Sequence, residues 1–491
     1  WSDDPTAYPQ IYADGTSNPQ TSLLDLVATV QSTEVTITND TIKTAGPNSG
    51  TPHKPWVKAS VFGGAESGHV MGNTKVIIAG GLIGAGDNGS ADVRYDDDDF
   101  INPATTEVTT TPTDNTLKGT ANWHYQAPYN PFDPAEIRNQ YDAGTNTYGY
   151  VPSDGKSWFG NVFGGGSGWF PYVVNESTHP EPETHPVWKS YWNAKSGKVW
   201  GNTEVIIKGG HILNNVYGAN ESTDVGGKAT IKMSGGTVGV PRTAAQVALQ
   251  PVTCYVFGGG CGDPRGDFYD KTNVAETDVQ ITGGTIYGSV FGGAEDGHVL
   301  GDAKVTVSQP TGKTTVIGST GKSGADGNIF GGGRNFLHEN YTAGRVEGNI
   351  DITMKGGTLL GNVFGGGRLG ITGIDQNGNM KNNVADDPET TEVNEAKTYG
   401  HVTIDIQGGT VGNARYLNLT NTPDLYTNSN HNDTLAYTGH VFGGGKGIEV
   451  SGIDAYKLAR VKNTEVKISE TDATNNPTRI RGNVYGGGEL A

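Results

Sequence analysis

Apolar residues alternate with freely varying ones in short segments that end at paired glycines. Aligned on the first glycine of each pair, six segments carry an apolar residue four positions before it and another two positions before it. The earlier apolar positions are Val76, Val205, Ile231, Val279, Ile352 and Ile404. The later ones are Ile78, Ile207, Met233, Ile281, Met354 and Ile406. Period-two alternation predicts strands with one buried face, which leaves intervening residues such as Gln280, Thr353 and Asp405 on the outside.

A second phrase, consisting of Val or Ile, then Phe or Tyr, then Gly, and then Gly or Ala, recurs nine times. Its aromatic positions are Phe62, Phe163, Tyr217, Phe257, Phe291, Phe330, Phe364, Phe442 and Tyr485. In three copies the phrase follows the glycine pair at one spacing, because Gly210 and Val216, Gly284 and Val290, and Gly357 and Val363 are each six positions apart. We therefore expect Phe257, Phe291, Phe330 and Phe364 to stack with ring centroids about 4.5–7 Å apart.

The two phrases together define a repeat of 26 residues, the distance from Val279 to Val305 and from Gly209 to Gly235. Short strands separated by glycine corners at this period predict an all-β chain folded as a parallel β-helix, or β-solenoid, of about nine coils. A single coil cannot bury its own apolar side, so the coils must stack. The aromatic positions are spaced too irregularly for the blades of a β-propeller, which are roughly 40 residues long.

About half of the chain lies outside the minimal coils. We expect one solenoid over residues 1–491 with insertions at its corners, of which two are rich in aromatic residues and pack on the flank. The insertions are 90–157, 167–197, 239–253, 371–398 and 412–438. Tryptophans in and beside the first two are candidate contacts for a glycan or a protein partner: Trp123, Trp158, Trp169, Trp188 and Trp192. Alternatively, these rings form a small core that covers the outward-facing Ile77 and Ile206.

Charge excludes several classes of partner. The net charge is −18 and no block of Lys or Arg occurs, which argues against nucleic acid and against attraction to an anionic membrane surface. No apolar run reaches the roughly 18 residues that a membrane-spanning helix needs. Because the chain begins at Trp1 without a signal-like segment, it is expected to be a mature or excised fragment.

The sequence offers little catalytic chemistry. The weak metal candidates Asp96, Asp97, Asp98 and Asp99 carry the oxygen ligands that Ca²⁺ prefers, although a solvated acidic loop explains them equally well. Cys254 and Cys261 form either one local disulfide or two free thiols. His69 and His298 occupy equivalent corners rather than a catalytic pair. No nucleophile elbow, zinc-protease motif or phosphate-binding loop occurs, so no cofactor and no enzyme activity are predicted.

With these Val-Phe-Gly-Gly-Gly coils, the chain resembles the large glycine-rich repeat proteins on the surface of Bacteroidota-type bacteria and, more broadly, β-solenoid adhesins and fibre proteins. The resemblance covers the coils but not the aromatic insertions. It implies a secreted structural or adhesive protein of the cell surface. Two other functions stay open: a glycan-binding module that uses the tryptophan-rich insertions, and a polysaccharide lyase, a hydrolase or a phage-type fibre.

The final coil predicts self-association. It runs from Arg481 to Gly488, and no polar helix, proline block or charged segment follows it. Unprotected strand edges template further pairing, and a head-to-tail contact propagates into a filament unless it closes a ring. The alternatives are that the chain continues in the intact protein or that a local cap covers this coil.

Overall fold

The computed structural model describes the repeat segments of the chain. The main described segments are 29–41, 60–66, 68–84, 160–168, 197–239, 254–262, 271–318, 327–335, 340–384, 397–412, 438–447 and 457–489. Short strand segments between residues 52 and 57, 141 and 148, and 171 and 192 complete the description. All regular elements in these segments are β-strands, and most of them pair in parallel. The chain therefore has an all-β fold built on parallel sheets.

Nine two-residue strands form one parallel sheet, here called the aromatic sheet. Each consists of the Val-Phe type of dipeptide, and its neighbours are the previous and the next copy of that dipeptide along the chain. The strands are Val61–Phe62, Val162–Phe163, Val216–Tyr217, Val256–Phe257, Val290–Phe291, Ile329–Phe330, Val363–Phe364, Val441–Phe442 and Val484–Tyr485. All nine copies of the phrase thus share one sheet.

A second sheet of fifteen strands, the aliphatic sheet, contains the alternating segments. Its main path consists of Thr33–Ile37, Thr74–Ile78, Thr203–Ile207, Val225–Val238, Asn273–Ile286, Ala303–Val307, Ile350–Leu359, His401–Val411 and Asn463–Ile468. Beside this path lie Trp56–Val57, Leu82–Ile83, His211–Ile212, His298–Val299, Thr315–Ile317 and Arg479–Ile480.

Eight further strands form separate two-stranded sheets. One pair is parallel, Thr29–Val30 with His69–Val70. Three pairs are antiparallel, namely Asp40–Thr41 with Pro52–His53, Tyr141–Asp142 with Thr147–Tyr148, and Pro171–Asn175 with Trp188–Trp192.

The chain alternates between the two large sheets. Each main-path strand of the aliphatic sheet is followed by one strand of the aromatic sheet, nine times in succession. We call each such pair of strands a rung and number the rungs from first to ninth. The rise between rungs does not depend on the length of chain between them. Ring centroids of Phe62 and Phe163 are 4.8 Å apart, as are those of Phe330 and Phe364, although 101 and 34 residues respectively separate them in sequence.

Inward-facing aliphatic side chains fill the main core. The six predicted core residues that alternate in the fifth, seventh and eighth rungs are at most 1% exposed: Val279, Ile281, Ile352, Met354, Ile404 and Ile406. The intervening Gln280, Thr353 and Asp405 are partly exposed. The pairing aligns these residues in the register that the sequence predicted. The predicted burial pattern is confirmed.

The aromatic residues form a second, separate cluster. Consecutive rings from Phe62 to Tyr485 stack at centroid distances between 4.6 and 5.2 Å. The predicted stack of four rings, from Phe257 to Phe364, is therefore confirmed and belongs to a continuous stack of nine. Stacked rings of this kind stabilise the fold by more than the burial of their apolar surface alone.

The glycine after each of the first eight aromatic residues is required by the next rung. A Cβ added at Gly292 would lie 2.3 Å from the carbonyl oxygen of Gly331, and one at Gly63 would lie 2.1 Å from that of Gly164. The first eight copies of this glycine show the same conflict at 2.1–2.4 Å. Only glycine lets two rungs approach this closely.

Polar side chains stabilise the rungs in two ways. Threonines of the aliphatic strands donate to the first glycine carbonyl of the same rung, as Thr277 Oγ1 does to Gly292 O at 2.6 Å. Side chains that precede the aromatic-sheet strands accept from the next rung. Asn328 Oδ1, for example, accepts from the backbone N–H of Asn362 at 2.8 Å. These bonds satisfy polar groups that the stacking buries.

Candidate functional site

The ninth rung exposes the surface that internal rungs bury. Val484 is 47% exposed, Tyr485 41% and Ile468 42%. The equivalent residues of the fifth rung, Val290, Phe291 and Ile281, are at most 1% exposed. The ninth rung therefore presents an apolar strand face that the internal rungs bury.

The ninth rung is nevertheless held in the geometry of an internal rung. Tyr485 stacks on Phe442 at 4.9 Å, and Asn483 Nδ2 donates to its hydroxyl oxygen at 2.7 Å. Thr464 Oγ1 donates to Gly486 O at 2.6 Å, which is the contact made in internal rungs. The ninth rung thus keeps the contacts of an internal rung although it has a described neighbour on one side only.

Open space lies above this rung. A Cβ added at Gly486 or Gly487 would meet no heavy atom within 4 Å, in contrast to the 2.3 Å conflict at Gly292. Among the described strands, Val484–Tyr485 pairs only with Val441–Phe442, and Asn463–Ile468 only with His401–Val411. The rung can therefore accept one further parallel rung by backbone hydrogen bonding and apolar contact.

Charged groups border the open face. Glu465 and Lys467 form an ion pair at 3.1 Å. Burial, together with the neighbouring charge of Arg479, lowers the pKa of Arg481, and its buried Nε and Nη1 atoms have no hydrogen-bond partner.

The first rung forms the opposite edge of both sheets. Within the described part of the chain, Thr33–Ile37 pairs only with Thr74–Ile78, and Val61–Phe62 only with Val162–Phe163. This edge is better covered, since Val61 is 5% exposed and Phe62 is partly buried.

A buried polar cluster joins four internal rungs. Glu295 Oε2 accepts from the Tyr217 hydroxyl at 2.7 Å and from Cys261 Sγ at 3.3 Å, and Arg334 Nη1 lies 3.5 Å from Glu295 Oε1. All four side chains are at most 5% exposed. Burial raises the pKa of Tyr217 well above its ordinary value, and nearby Cys261 and Glu295 add to this shift. The cluster is sealed from solvent, so we assign it a role in holding neighbouring rungs together.

Sequence reasoning missed this cluster because its members come from different copies of the repeat. Glu66 and Glu295 follow the same Val-Phe-Gly-Gly-Ala phrase. Glu66 is exposed whereas Glu295 is buried. The partners that distinguish them lie on other rungs, and no local pattern signals their approach.

Most of the sequence-predicted site residues lie outside the described residues. These are Asp96, Asp97, Asp98, Asp99, Trp123, Trp158 and Trp169. Trp188 and Trp192 lie at the two ends of one antiparallel strand. Within the described part of the chain, no group of three or more His, Cys, Asp and Glu residues is placed to hold a metal ion. The same part contains no helix that is long and apolar enough to cross a membrane.

The cysteines and histidines occupy structural positions. Cys254 and Cys261 are both buried and both free thiols, so the open choice between a disulfide and two thiols is settled in favour of thiols. His69 and His298 begin equivalent two-residue strands and are at most 2% exposed. Their equivalence agrees with the prediction of repeat corners.

No protein-family model, no curated protein and no solved structure matches this chain. The resemblance to glycine-rich surface proteins therefore stays a prediction from the repeats.

Proposed function

We propose that the chain is a β-solenoid of nine coils that serves as a structural or adhesive rod at the bacterial cell surface and assembles head to tail. The observation that carries this proposal is the ninth rung, which keeps the hydrogen bonds and ring stacking of an internal rung while exposing Val484 and Tyr485.

The described interior favours a mechanical role over a binding pocket. Apolar side chains fill both clusters, and the buried polar cluster around Glu295 is closed to solvent. In a repeat architecture, the free energy of unfolding is approximately the sum of what each rung contributes by itself and what neighbouring rungs contribute through their contacts. A further rung can therefore be added without changing the others. Nine rungs at about 4.8 Å each give a rod on the order of 40 Å long.

Joining the ninth rung of one copy to the first rung of another is a heterologous contact. Such a contact produces an open filament unless its rotation closes a ring. The extracellular placement rests on the glycine-rich coils and their resemblance to surface fibre proteins. Labelling intact cells with an antibody against the chain tests this placement: signal that requires cell lysis would contradict it.

The assembly itself is tested by sedimentation velocity at rising protein concentration, with electron microscopy of the same samples. We expect rods that lengthen with concentration by whole molecular lengths. A monomer at every concentration and salt level would overturn head-to-tail assembly. A glycan array run on the same preparation separates the alternative function, because binding by a strict monomer would favour a glycan-binding module.

A further inference from the structure

The connections that lead from the aliphatic sheet to the aromatic sheet alternate in length from rung to rung. In the first, third, fifth, seventh and ninth rungs, three residues join the last aliphatic-sheet strand to the aromatic-sheet strand, as between Ile286 and Val290. In the second, fourth, sixth and eighth rungs the connection has between 11 and 78 residues, and the shortest of these joins Ile317 to Ile329. Long connections thus leave the same corner at every second rung.

Each long connection begins and ends at two residues with positive φ, a pair that we call a neck. The four necks are Gly84 with Gly160, Gly239 with Cys254, Gly318 with Gly327, and Gly412 with Gly439. In the three glycine pairs, a Cβ added at the first member would lie 2.6–2.7 Å from the Cα of the second. The chain therefore leaves the rung and returns to it at nearly the same point.

The short connections on either side hold each neck in place. The backbone N–H groups of Gly318 and Gly327 donate to carbonyl oxygens of the fifth rung at 2.7 and 3.0 Å, and Gly361 of the seventh rung donates to Gly327 O at 2.8 Å. Gly412 and Gly439 make the corresponding bonds in the eighth rung. The backbone ladder therefore runs through an even-numbered rung whatever the length of chain between its neck residues.

The alternation has a steric reason. Successive rungs lie 4.6–5.2 Å apart in the ring stack, so two rungs span about 10 Å, the distance at which layers of chain pack with their side chains. Long segments on adjacent rungs would compete for the same space. A three-residue connection between them removes that conflict.

We propose that the stack of rungs is a display scaffold, in which the even-numbered rungs carry exchangeable segments at their necks and the odd-numbered rungs keep those segments apart. Insertions in repeat proteins gather on one face, which is often the binding face, and recognition is commonly placed on loops that a rigid scaffold positions. Specificity can then change without any change in the rungs. The inference goes beyond head-to-tail assembly, since a monomer displays its segments equally well.

The fifth and sixth rungs supply a matched pair of insertion sites. In the test variant, a Gly-Ser segment of about 16 residues with a central antibody epitope replaces residues 319–326, and its melting temperature should stay within about 2 °C of the wild type because doubling a loop changes the closure entropy little. In the control, the same segment is inserted between Gly288 and Ser289. It interrupts the bonds of Gly288 to both neighbouring rungs and should lower the melting temperature by about 5 °C or more.

A second pair of variants tests the neck itself. Gly318→Ala places a Cβ against Gly327, whereas Gly312→Ala, in the same rung and also at positive φ, meets no atom within 4 Å. Both variants bear the cost of positive φ, so the difference between them reports the close approach at the neck. Gly318→Ala should lower the melting temperature by about 3 °C more than Gly312→Ala does.

Circular dichroism melting and antibody capture of the folded protein decide the inference. A stable sixth-rung variant that the antibody captures, together with a destabilised fifth-rung variant, supports the display scaffold. Equal tolerance at the two sites, a destabilised sixth-rung variant, or an epitope that the antibody reaches only after unfolding would overturn it. Equal effects of Gly318→Ala and Gly312→Ala would overturn the role of the neck. Sedimentation tests self-association separately, so the two proposals fail independently.

Discussion

The fifth and ninth rungs carry the same phrase in different surroundings. Val290-Phe291-Gly292 is fully buried between two neighbours, whereas Val484-Tyr485-Gly486 has a neighbour on one side only. The hydrogen bonds within each rung are alike. The comparison shows that a rung folds by its own sequence but obtains its burial, and hence most of its stability, from the rungs beside it.

Removing one ring from the stack should give the largest contrast. Phe291→Ala opens a cavity between two rings at 4.7 and 4.6 Å and should cost about 3–5 kcal/mol. Tyr485→Ala removes a single stacking contact on an exposed surface and should cost about 1 kcal/mol. Urea denaturation followed by circular dichroism measures both. Similar losses would mean that the two rungs do not differ in burial as described.

The same contrast applies to the aliphatic core. Ile281→Ala should cost about 2–5 kcal/mol, because this side chain is 1% exposed. Ile468→Ala, at the equivalent position with 42% exposure, should cost less than about 1 kcal/mol. Gln280→Ala serves as the outward-facing control in the same denaturation series. A loss at Gln280 equal to that at Ile281 would contradict the strand register.

Adding one carbon atom tests the close approach of rungs. Gly292→Ala forces its Cβ against the Gly331 carbonyl and should cost about 1–3 kcal/mol through overpacking. Gly486→Ala meets open space and should leave the melting temperature of the dilute protein unchanged. Tolerance at position 292 would show that neighbouring rungs can separate without loss.

Removing a threonine hydroxyl should have the smallest effect. Thr277→Val leaves the buried Gly292 carbonyl without this donor and should cost about 1–2 kcal/mol. Thr464→Val should cost less, because water can replace the hydroxyl at the exposed ninth rung. Hydrogen exchange of the backbone amides in each rung, compared between the variants, measures the local effect. Equal changes in both rungs would argue against solvent replacement.

The periodic features of the fold were accessible from the sequence because they repeat. Alternation around Gln280 predicted the buried Val279 and Ile281, and the recurring phrase predicted the stacked rings. The contacts of Glu295 with Tyr217 and Arg334 were not accessible. They join different rungs, and their approach depends on the path of the chain in three dimensions.

The ninth rung shows a further limit of sequence reasoning. The final coil predicted an open edge, and the exposure of Val484 and Tyr485 agrees with that expectation. Its place in the sheet follows from the pairing register, which carries position 33 through the intermediate strands to position 464. The tryptophan-rich insertions lie mostly outside the described residues, so their predicted contacts stay predictions.

The uniform rise between rungs has a mechanical consequence. A tensile force along the axis loads all the hydrogen bonds of one rung-to-rung interface together, while successive interfaces carry that force in series. The weakest interface therefore sets the tensile strength of the stack of rungs. The load passes from Phe62 to Phe163 across a single step of 4.8 Å, although 101 residues separate them along the chain. Additional chain between rungs thus adds mass without lengthening the path that bears the load.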